Sequence, residues 1–346
     1  MTRALVVRLD GAGDVLLAGP AVRAVAARAD VTLLCGPAGA PAGRLLPGAG
    51  EVLRWACPWV LADPPPVDAA ETAGLVADLA VRGFDEAVIL TSFHQSPLPL
   101  ALLLRLAGVP RISGASVDHA GALLDVRLRP GETLDEDQPE PERMRAIAAA
   151  AGFPAPAGDD GRLAVLPSPD VSHLLPAAPY IVVHPGAAVG ARRWPAGHCA
   201  RAVELLAAAG HRVVVTGGPD ERALTAEVAG RRGTDLGGRT SLAELGGVLA
   251  RASAVVVGNT AAAHLAAAVG TPVVSLFAPV VPAVRWRPYA VPHVLLGDQH
   301  APCRDSRARE CPVPGHPCLA GVDPAAVVEA VHLLITDVLR AQEVPA

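Results

Sequence analysis

The chain has 346 residues, of which 51% are hydrophobic and 18% charged, so it is long enough for two domains and too apolar for an intrinsically disordered protein. All 29 basic residues are arginine, which excludes lysine chemistry such as a Schiff base, and the net charge of −5 argues against broad binding of nucleic acid. The first residues resemble a strand and not a signal peptide, and no uninterrupted apolar stretch reaches the length of a membrane span, which favours a cytoplasmic protein.

The first half of the chain predicts alternating strands and helices. A Val- and Leu-rich strand at 3–9 leads through a glycine turn at 11–14 into an apolar helix that ends near residue 28. Such alternation is typical of a parallel, doubly wound sheet. The other elements predicted in this half are strands at 31–34, 52–55, 85–91 and 111–115, helices at 69–82, 98–107 and 142–151, and an exposed acidic loop at 130–141.

The second half repeats this alternation after a segment rich in Pro, Gly and Asp at 153–179, which we interpret as the interdomain linker with a short strand at 163–166. Asp323 and Pro324 predict the start of a last helix, as N-cap and first helical residue. The predicted domains are 1–165 and 170–322, followed by a C-terminal helix at 323–346. The elements predicted in the second domain are strands at 180–184, 212–216, 254–257 and 272–276, and helices at 196–209, 220–230, 241–250 and 260–269.

Asp14 follows a glycine turn at the carboxyl end of the first predicted strand, the edge where open α/β sheets bind ligands. A carboxylate at that edge can accept a proton from a substrate hydroxyl. The alternative interpretation is that Asp14 caps the following helix. Gly11 and Gly13 also match half of the dinucleotide-binding pattern, which is a weak signal without its third glycine.

Two later strands also run into glycine turns, and a pair of arginines precedes a helix start between them. Glycine turns at strand ends expose backbone amides to phosphate, and guanidinium groups suit diphosphate through paired donors. Together they predict a nucleotide-diphosphate site. The residues concerned are His184, Pro185 and Gly186, then Arg192 and Arg193, then Thr216, Gly217 and Gly218.

Three further positions fit the same site. Glu221 stands where acidic residues bind ribose hydroxyls in other nucleotide folds, although an acid in the first turn of a helix also complements the helix dipole. Asn259 or Thr260 is a candidate N-cap for the helix predicted at 260–269, whose free amides attract an anionic leaving group. His264 lies one turn into that helix, as a ligand contact or as a half-buried core histidine.

Cys303, Cys311 and Cys318 cluster along the chain, with His316 between the last two. Three thiolates and an imidazole can form a tetrahedral zinc site. Their spacing does not match a tight C-x-x-C knuckle, so loop thiols or a conditional disulfide remain the alternatives.

Taken in order, these motifs resemble glycosyltransferase family 9, the ADP-heptose:lipopolysaccharide heptosyltransferases and their relatives, over roughly residues 3–335. Each motif is weak by itself, and the ordered series is specific. The motifs are LVVR at 5–8 with GAGDV at 11–15, VHPGA at 183–187, WP at 194–195, VTGG at 215–218 with Glu221, LGGRTSL at 236–242, NT at 259–260 with HLAA at 264–267, and GTPVVSLF at 270–277.

The resemblance implies the GT-B fold: two Rossmann-like, doubly wound parallel-sheet domains that face each other across a cleft. The first domain would bind a glycan or glycolipid acceptor, the second a nucleotide sugar such as ADP-heptose, and the last helix would cross back toward the first domain. The resemblance further implies an inverting enzyme of cell-envelope polysaccharide synthesis that needs no cofactor or active-site metal, and peripheral contact with the inner face of the membrane.

The resemblance also assigns roles to individual residues. Asp14, preceded by Gly13, would be the general base, and Arg192 would neutralise charge that grows on the diphosphate. Amides around Asn259, Thr260 and Ala261 would assist through fixed electrostatics. The residues implied to hold the nucleoside or lie near its base are Thr216, Gly217, Glu221 and Leu242.

Two departures from the family pattern bear on donor binding. Relatives commonly have Asp-Thr-Gly where this chain has Asn259, Thr260 and Ala261, and hydroxyl residues where it has Ala187 and Ala188. These changes motivate a first alternative, a nucleotide-sugar-binding protein without catalysis. A second alternative, a nicotinamide-dependent oxidoreductase, depends on Gly11 and Gly13 alone. The sequence does not identify the sugar, the acceptor or the oligomeric state.

Overall fold

The computed structural model describes residues 2–343, with side chains described up to residue 337. The chain divides into two compact units, Met1–Leu166 and Pro167–Ala346. Each unit has its own sheet and its own apolar core, so we describe each by itself. Among the described residues, no helix is both long and apolar enough to cross a membrane.

The sheet of the first unit has six parallel strands in the order β3-β2-β1-β4-β5-β6. Apolar side chains on β1 are buried on both faces, as expected for a central parallel strand. The strands are β1 (Thr2–Arg8), β2 (Ala29–Cys35), β3 (Glu51–Arg54), β4 (Glu86–Ile89), β5 (Arg111–Ala115) and β6 (Val126–Leu128). The helices are α1 (Ala12–Leu17), α2 (Gly19–Ala26), α3 (Ala40–Gly43), α4 (Ala69–Arg82), α5 (Leu98–Leu106) and α6 (Glu140–Ala150).

The sheet of the second unit also has six parallel strands, in the order β12-β11-β10-β7-β8-β9. The strands are β7 (Tyr180–His184), β8 (Arg212–Val215), β9 (Gly233–Asp235), β10 (Ala254–Gly258), β11 (Val273–Leu276) and β12 (His293–Leu296). The helices are α7 (Ala196–Ala208), α8 (Arg222–Ala229), α9 (Leu242–Ala250), α10 (Ala261–Ala268), α11 (Ala283–Trp286), α12 (Pro317–Ala320) and α13 (Pro324–Glu343).

Numbered within its own unit, each sheet has the strand order 3-2-1-4-5-6 of the Rossmann fold. In this order the chain reverses direction across the sheet between the first and fourth strands. The crevice at the carboxyl ends of those strands is where such folds bind ligands. It lies between β1 and β4 in the first unit and between β7 and β10 in the second. We call these two places the first and second switch points.

The structure confirms the doubly wound α/β class and most of the predicted elements, and corrects three. The single helix predicted after the first glycine turn is two helices, because a new helix begins at Gly19 with Ala18 as its N-cap and Pro20 in its first turn. Part of the predicted acidic loop is helical, since α6 begins at Glu140. The strand predicted at 163–166 is wrong, because these residues belong to no strand.

Helix α13 packs against α7 and against the strands β10, β11 and β12 of the second unit. Its buried residues, among them Val327 and Val331, belong to the apolar core of that unit. The predicted crossing of the last helix toward the first domain stays a prediction.

Candidate active site

The first switch point is built around Arg8, which ends β1 and has no exposed surface. Its Nη2 donates to Asp14 Oδ1 at 3.0 Å and to Ser92 Oγ at 2.8 Å, and its Nη1 donates to the Leu90 carbonyl at 3.2 Å. Its Nε lies 3.1 Å from Asp10 Oδ2. One buried guanidinium therefore joins the end of β1, the start of α1 and the segment that follows β4.

A second buried arginine, Arg143 of α6, completes this charge cluster. Its Nη1 donates to the Thr91 carbonyl at 2.6 Å and its Nε to Glu136 Oε1 at 3.1 Å. Glu140, whose side chain has no exposed surface, places Oε2 3.9 Å from Arg8 Nη2. The cluster thus contains two arginines and four carboxyl groups, those of Asp10, Asp14, Glu136 and Glu140, and it carries more acidic than basic groups.

Burial and charge act on this cluster in opposite directions. Burial alone lowers the pKa of Arg8, but the carboxylates of Asp10, Asp14 and Glu140 raise it above its ordinary value, so Arg8 stays charged. Burial raises the pKa of Asp10 to about 6, and the nearby Asp14 charge adds to this rise although Arg8 opposes it. This rise fits the surplus of carboxyl groups over arginines in the cluster. Gln95 donates a short hydrogen bond to Asp10 Oδ1.

Asp14 is the most exposed carboxyl group of the cluster, with 29% of its side chain accessible against 23% for Glu136. It is the third residue of α1, and Gly11 is the N-cap, so the alternative that Asp14 caps this helix is wrong. Arg8 fixes one carboxylate oxygen in place while part of the side chain reaches solvent. An oriented, accessible carboxylate at a strand end can act as a general base.

The second switch point begins with the turns after β7 and β8. His184 Nδ1 lies 3.0 Å from Thr216 Oγ1, and burial lowers the pKa of His184 although the charge of Glu221 opposes this, which favours the neutral imidazole. Glu221 Oε2 accepts from the Gly218 amide at 2.8 Å. A Cβ at Gly186 would overlap the Glu221 carboxylate, so a larger residue there would displace the Glu221 side chain.

Glu221 ends the short 3-10 turn Pro219–Glu221, ahead of α8. Its hydrogen bond to the Gly218 amide is the interaction expected of an acid in a first turn, the alternative that the sequence had left open. Gly217 is as constrained as Gly186, since a Cβ there would come 2.6 Å from Thr225 Cγ2. The predicted donor-binding residues in the turns after β7 and β8 therefore lie together.

Asn259, which follows β10, is 3% exposed and pairs with the backbone beyond β11. Its Nδ2 donates to the Ala278 carbonyl at 3.3 Å, and its Oδ1 accepts from the Ala278 amide at 3.3 Å. A carboxylate could accept but not donate in this pair. The amide at position 259 thus has a structural reason in this chain.

Arg192 ends the 3-10 turn Gly190–Arg192, and its Nη1 lies 3.4 Å from the Asn259 carbonyl in donor geometry. A Cβ at Gly258 would lie 2.8 Å from the Arg192 carbonyl, so this glycine permits the close approach. Thr260 is the N-cap of α10, which starts at Ala261. The basic residue and the positive end of a helix therefore meet beside β10.

The remaining predicted site residues take no part in the hydrogen bonds described above. The exposed Arg193 donates from Nε to the Ala187 carbonyl at 2.7 Å, next to Gly186 and Pro185 in the same turn. Leu242 is the half-buried first residue of α9. His264 is 4% exposed within α10. Gly13 lies inside α1.

The cysteine cluster belongs to the apolar core of the second unit. Cys303 and Cys318 are both 2% exposed, and burial raises the pKa of Cys318 to about 12, with the neighbouring Cys303 adding to the rise. His316 Nε2 lies 3.0 Å from the Ala191 carbonyl. Within residues 2–337, no group of three His, Cys, Asp or Glu side chains is placed to hold a metal ion. The described arrangement fits buried thiols better than a zinc site.

The sequence did not identify Asp10, Arg143, Glu140 or Gln95 as site residues. The sequence did show one signal: Arg8 is a charged residue directly after the apolar run at 4–7. Its partner Ser92 is 84 positions away in sequence, and this pairing appears only when β1 and β4 lie side by side.

Two Rossmann-like units with ligand-binding chemistry at both switch points define the GT-B class of fold. Two solved structures share it: ADP-heptose LPS heptosyltransferase II of E. coli, with a TM-score of 0.71 at 20% identity, covering 97% of this chain and 99% of the other, and a family 9 glycosyltransferase of Veillonella parvula, with a TM-score of 0.76 at 16% identity over 97% and 98%. A third is E. coli heptosyltransferase WaaC with ADP-2-deoxy-2-fluoro heptose, with a TM-score of 0.70 at 22% identity over 96% and 99%.

The chain belongs to glycosyltransferase family 9 (heptosyltransferase), whose family model matches residues 83–316. Lipopolysaccharide heptosyltransferase 3 of Escherichia coli is 31% identical over 157 residues, 42% of this chain and 46% of that protein. Lipopolysaccharide heptosyltransferase 1 of Pseudomonas aeruginosa is 31% identical over 226 residues, 63% of this chain and 61% of that protein. The matched regions thus span about half to three fifths of these relatives.

Proposed function

We propose that this protein is an inverting glycosyltransferase that moves a heptose or a related sugar from an ADP-activated donor to a hydroxyl group of a glycan or glycolipid. The observation that carries this proposal is Asp14, a partly exposed carboxylate at the first switch point with one oxygen fixed by the buried Arg8. Family membership and the relatives that act on lipopolysaccharide support the substrate class.

In this mechanism Asp14 takes the proton of the acceptor hydroxyl as its oxygen attacks the anomeric carbon of the donor. The new carbon–oxygen bond forms on the face opposite the departing diphosphate, so the anomeric centre inverts. Arg8 contributes by keeping Asp14 in one orientation, because a general base must lie within hydrogen-bond reach of the proton that it removes.

The donor is proposed to bind at the second switch point. Its diphosphate would lie against Arg192 and the start of α10, where a guanidinium and a helix N-terminus both favour negative charge. These groups can stabilise the leaving group without a metal ion. Thr216, the glycine turns and Glu221 would hold the nucleoside. The choice of ADP as the nucleotide of the donor is supported by the solved E. coli relative with an ADP-heptose analogue.

The proposal also names the class of acceptor and the place in the cell where the reaction occurs. The relatives are named for lipopolysaccharide and lipooligosaccharide, so we propose a cell-envelope glycan or glycolipid as acceptor. Peripheral contact with the inner face of the membrane, in the cytoplasm, is part of the same proposal.

The test is the variant Asp14→Asn, assayed for transfer from ADP-heptose to an acceptor panel and, separately, for binding of ADP by calorimetry. We expect transfer to fall by about 10²- to 10⁴-fold, the usual contribution of a general base, while ADP binding is retained. Asp30→Asn is the matched control, since Asp30 is an exposed aspartate of β2 in the same unit.

Full turnover by Asp14→Asn would overturn the assignment of the base. The alternative that the protein binds nucleotide sugars without catalysis gives a different result in the same experiment. The unaltered protein would then bind ADP-heptose and transfer no sugar to any acceptor.

A further inference from the structure

Residues 297–316, all of them described, connect β12 to α12 without forming a helix or a strand. A connection of this length inside a compact unit is uncommon and is usually either functional or disordered. This one packs against the apolar core of the second unit through Cys303, Ala308, Cys311 and Val313. The proposed function assigns no role to this segment, which we call the cysteine loop.

The middle of the cysteine loop is tied to the chain that follows β11. Asp305 and Arg307 have φ angles of 59° and 56°, a left-handed conformation that residues other than glycine seldom adopt. Their amides donate to the carbonyls of Pro279 and Val280, at 2.8 Å each. Pro279 is the next residue after the backbone partner of Asn259. Strained backbone of this kind persists where surrounding contacts hold it, and it concentrates at functional sites.

The last part of the cysteine loop holds the turn Gly190–Arg192. The Arg309 carbonyl accepts from the Ala191 amide at 2.9 Å. His316 Nε2 lies 3.0 Å from the Ala191 carbonyl, which can only accept, so the ring donates and carries its proton on Nε2. Both backbone polar groups of Ala191, which is 1% exposed, are therefore bonded to the loop. The next residue along the chain is Arg192.

Close packing completes the support of this turn. A Cβ at Gly190 would overlap the Glu310 carboxylate, so this glycine lets the cysteine loop approach the turn. On the other side, the Arg192 carbonyl lies against Gly258 at the end of β10. The backbone that carries the proposed diphosphate ligand is thus held between the cysteine loop and the central strand of the second sheet.

His316 is itself firmly placed. Its amide donates to the Val313 carbonyl at 3.1 Å, and its carbonyl accepts from the amides of Leu319 and Ala320 at 3.3 and 2.9 Å, as the N-cap of α12. The ring therefore presents its Nε2–H from a fixed backbone. Without the ring, the carbonyl of the buried Ala191 would lose this donor, and the turn would lose one of its two hydrogen bonds to the loop.

We infer that His316 is a positioning residue for the donor diphosphate. Its ring fixes the Ala191 carbonyl and thereby the place from which the Arg192 side chain leaves the turn. His316 acts through Arg192 and needs no contact with the substrate. This inference rests on the proposed function, since it takes Arg192 as the group that binds the diphosphate.

The experiment is a double-mutant cycle on the affinity for ADP, measured by calorimetry with the full-length protein. His316→Ala should weaken ADP binding about tenfold, the usual effect of one lost hydrogen bond, and Arg192→Ala should weaken it at least as much. The double variant should bind ADP within twofold of Arg192→Ala, because a residue that acts through Arg192 then has nothing left to position. A merely structural role of His316 would make the two losses add.

Two further variants separate the hydrogen bond from a general loss of packing. His316→Gln should restore ADP affinity to within threefold of the unaltered protein, since its amide nitrogen is as many bonds from the backbone as Nε2 of the ring. His293→Ala is the matched control. His293 pairs through Nδ1 with the Val291 carbonyl at 2.9 Å and is the first residue of β12, at the amino end of the sheet. It should change ADP affinity less than twofold.

Thermal melts show which variants are folded. His316→Leu, which keeps bulk and has no donor, replaces His316→Ala in the cycle if the latter melts below the assay temperature. The inference is overturned if His316→Ala binds ADP as the unaltered protein does while Arg192→Ala binds it more weakly, if the losses add, or if His293→Ala has an equal effect. Unchanged ADP affinity in Arg192→Ala would instead refute the proposed donor site, and the inference with it.

Discussion

The carboxyl edges of the two sheets share one strand order and carry opposite kinds of groups. At the first edge, carboxyl groups surround the buried Arg8, and Asp14 is the most exposed of them. The second edge has glycine turns, the neutral imidazole of His184 and the side-chain amide of Asn259. Arg192 lies beside them. The shared topology determines where a ligand binds, and the side chains at each edge determine whether that place removes a proton or receives an anion.

The first edge depends most on its buried cation. Replacing Arg8 by Met should lower the free energy of unfolding by about 3–5 kcal/mol, because Asp10, Asp14 and Glu140 would lose their common partner. Urea denaturation followed by circular dichroism measures this. The control is Arg162→Met, because Arg162 is 64% exposed and pairs with an exposed aspartate, so its loss should cost less than about 1 kcal/mol. Similar effects of the two changes would refute the buried network.

The pH dependence of stability tests the same edge. The pKa of Asp10 is about 6 in the folded protein and near its ordinary value of 3.8 in the unfolded chain. The folded state therefore binds more protons than the unfolded state between these values, so this group's contribution to the unfolding free energy falls as pH rises from about 4 to about 6. The total change is at most about 3 kcal/mol.

Unfolding measured from pH 4 to pH 8 should show this decline in the unaltered protein and lose it in Asp10→Asn. The control Asp30→Asn should keep it. An unchanged slope in Asp10→Asn would show that Asp10 is not the group that takes up this proton.

The stability of the second edge depends more on close packing around its glycines than on charge. Gly186→Ala should lower the unfolding free energy by about 1–3 kcal/mol and weaken ADP binding, since the new methyl group would overlap the Glu221 carboxylate. Gly197→Ala is the matched control, because a Cβ on this α7 residue meets no atom within 4 Å. It should shift stability by less than about 1 kcal/mol. Calorimetric titration with ADP and thermal melts of both variants decide the comparison.

The smallest expected change in stability concerns the side-chain amide of Asn259. Asn259→Asp should lower the unfolding free energy by about 1–2 kcal/mol at pH 8, because the buried Ala278 carbonyl would lose its donor. The loss should shrink as pH falls and the new carboxyl group takes up a proton that it can donate. A variant as stable as the parent at pH 8 would mean that the family's usual aspartate fits this site equally well.

Sequence reasoning located the second edge better than the first, for a physical reason. The glycine turns after β7 and β8 directly follow their own strands in sequence, so the local sequence pattern predicts them. Arg8 and its partner at Ser92 are joined only by sheet pairing. The strands β6, β9 and β12 were missed because they are short and half-buried and lack a continuous buried run.

Asn259 has a consequence for how a nucleotide would be received. Its amide ties the end of β10 to the chain beyond β11, and its carbonyl is the partner of Arg192 from the loop after β7. These hydrogen bonds connect three neighbouring segments to one another. Association would then freeze little additional motion in this part of the protein, so its entropic penalty should be small and the bound and free backbones here should superpose closely.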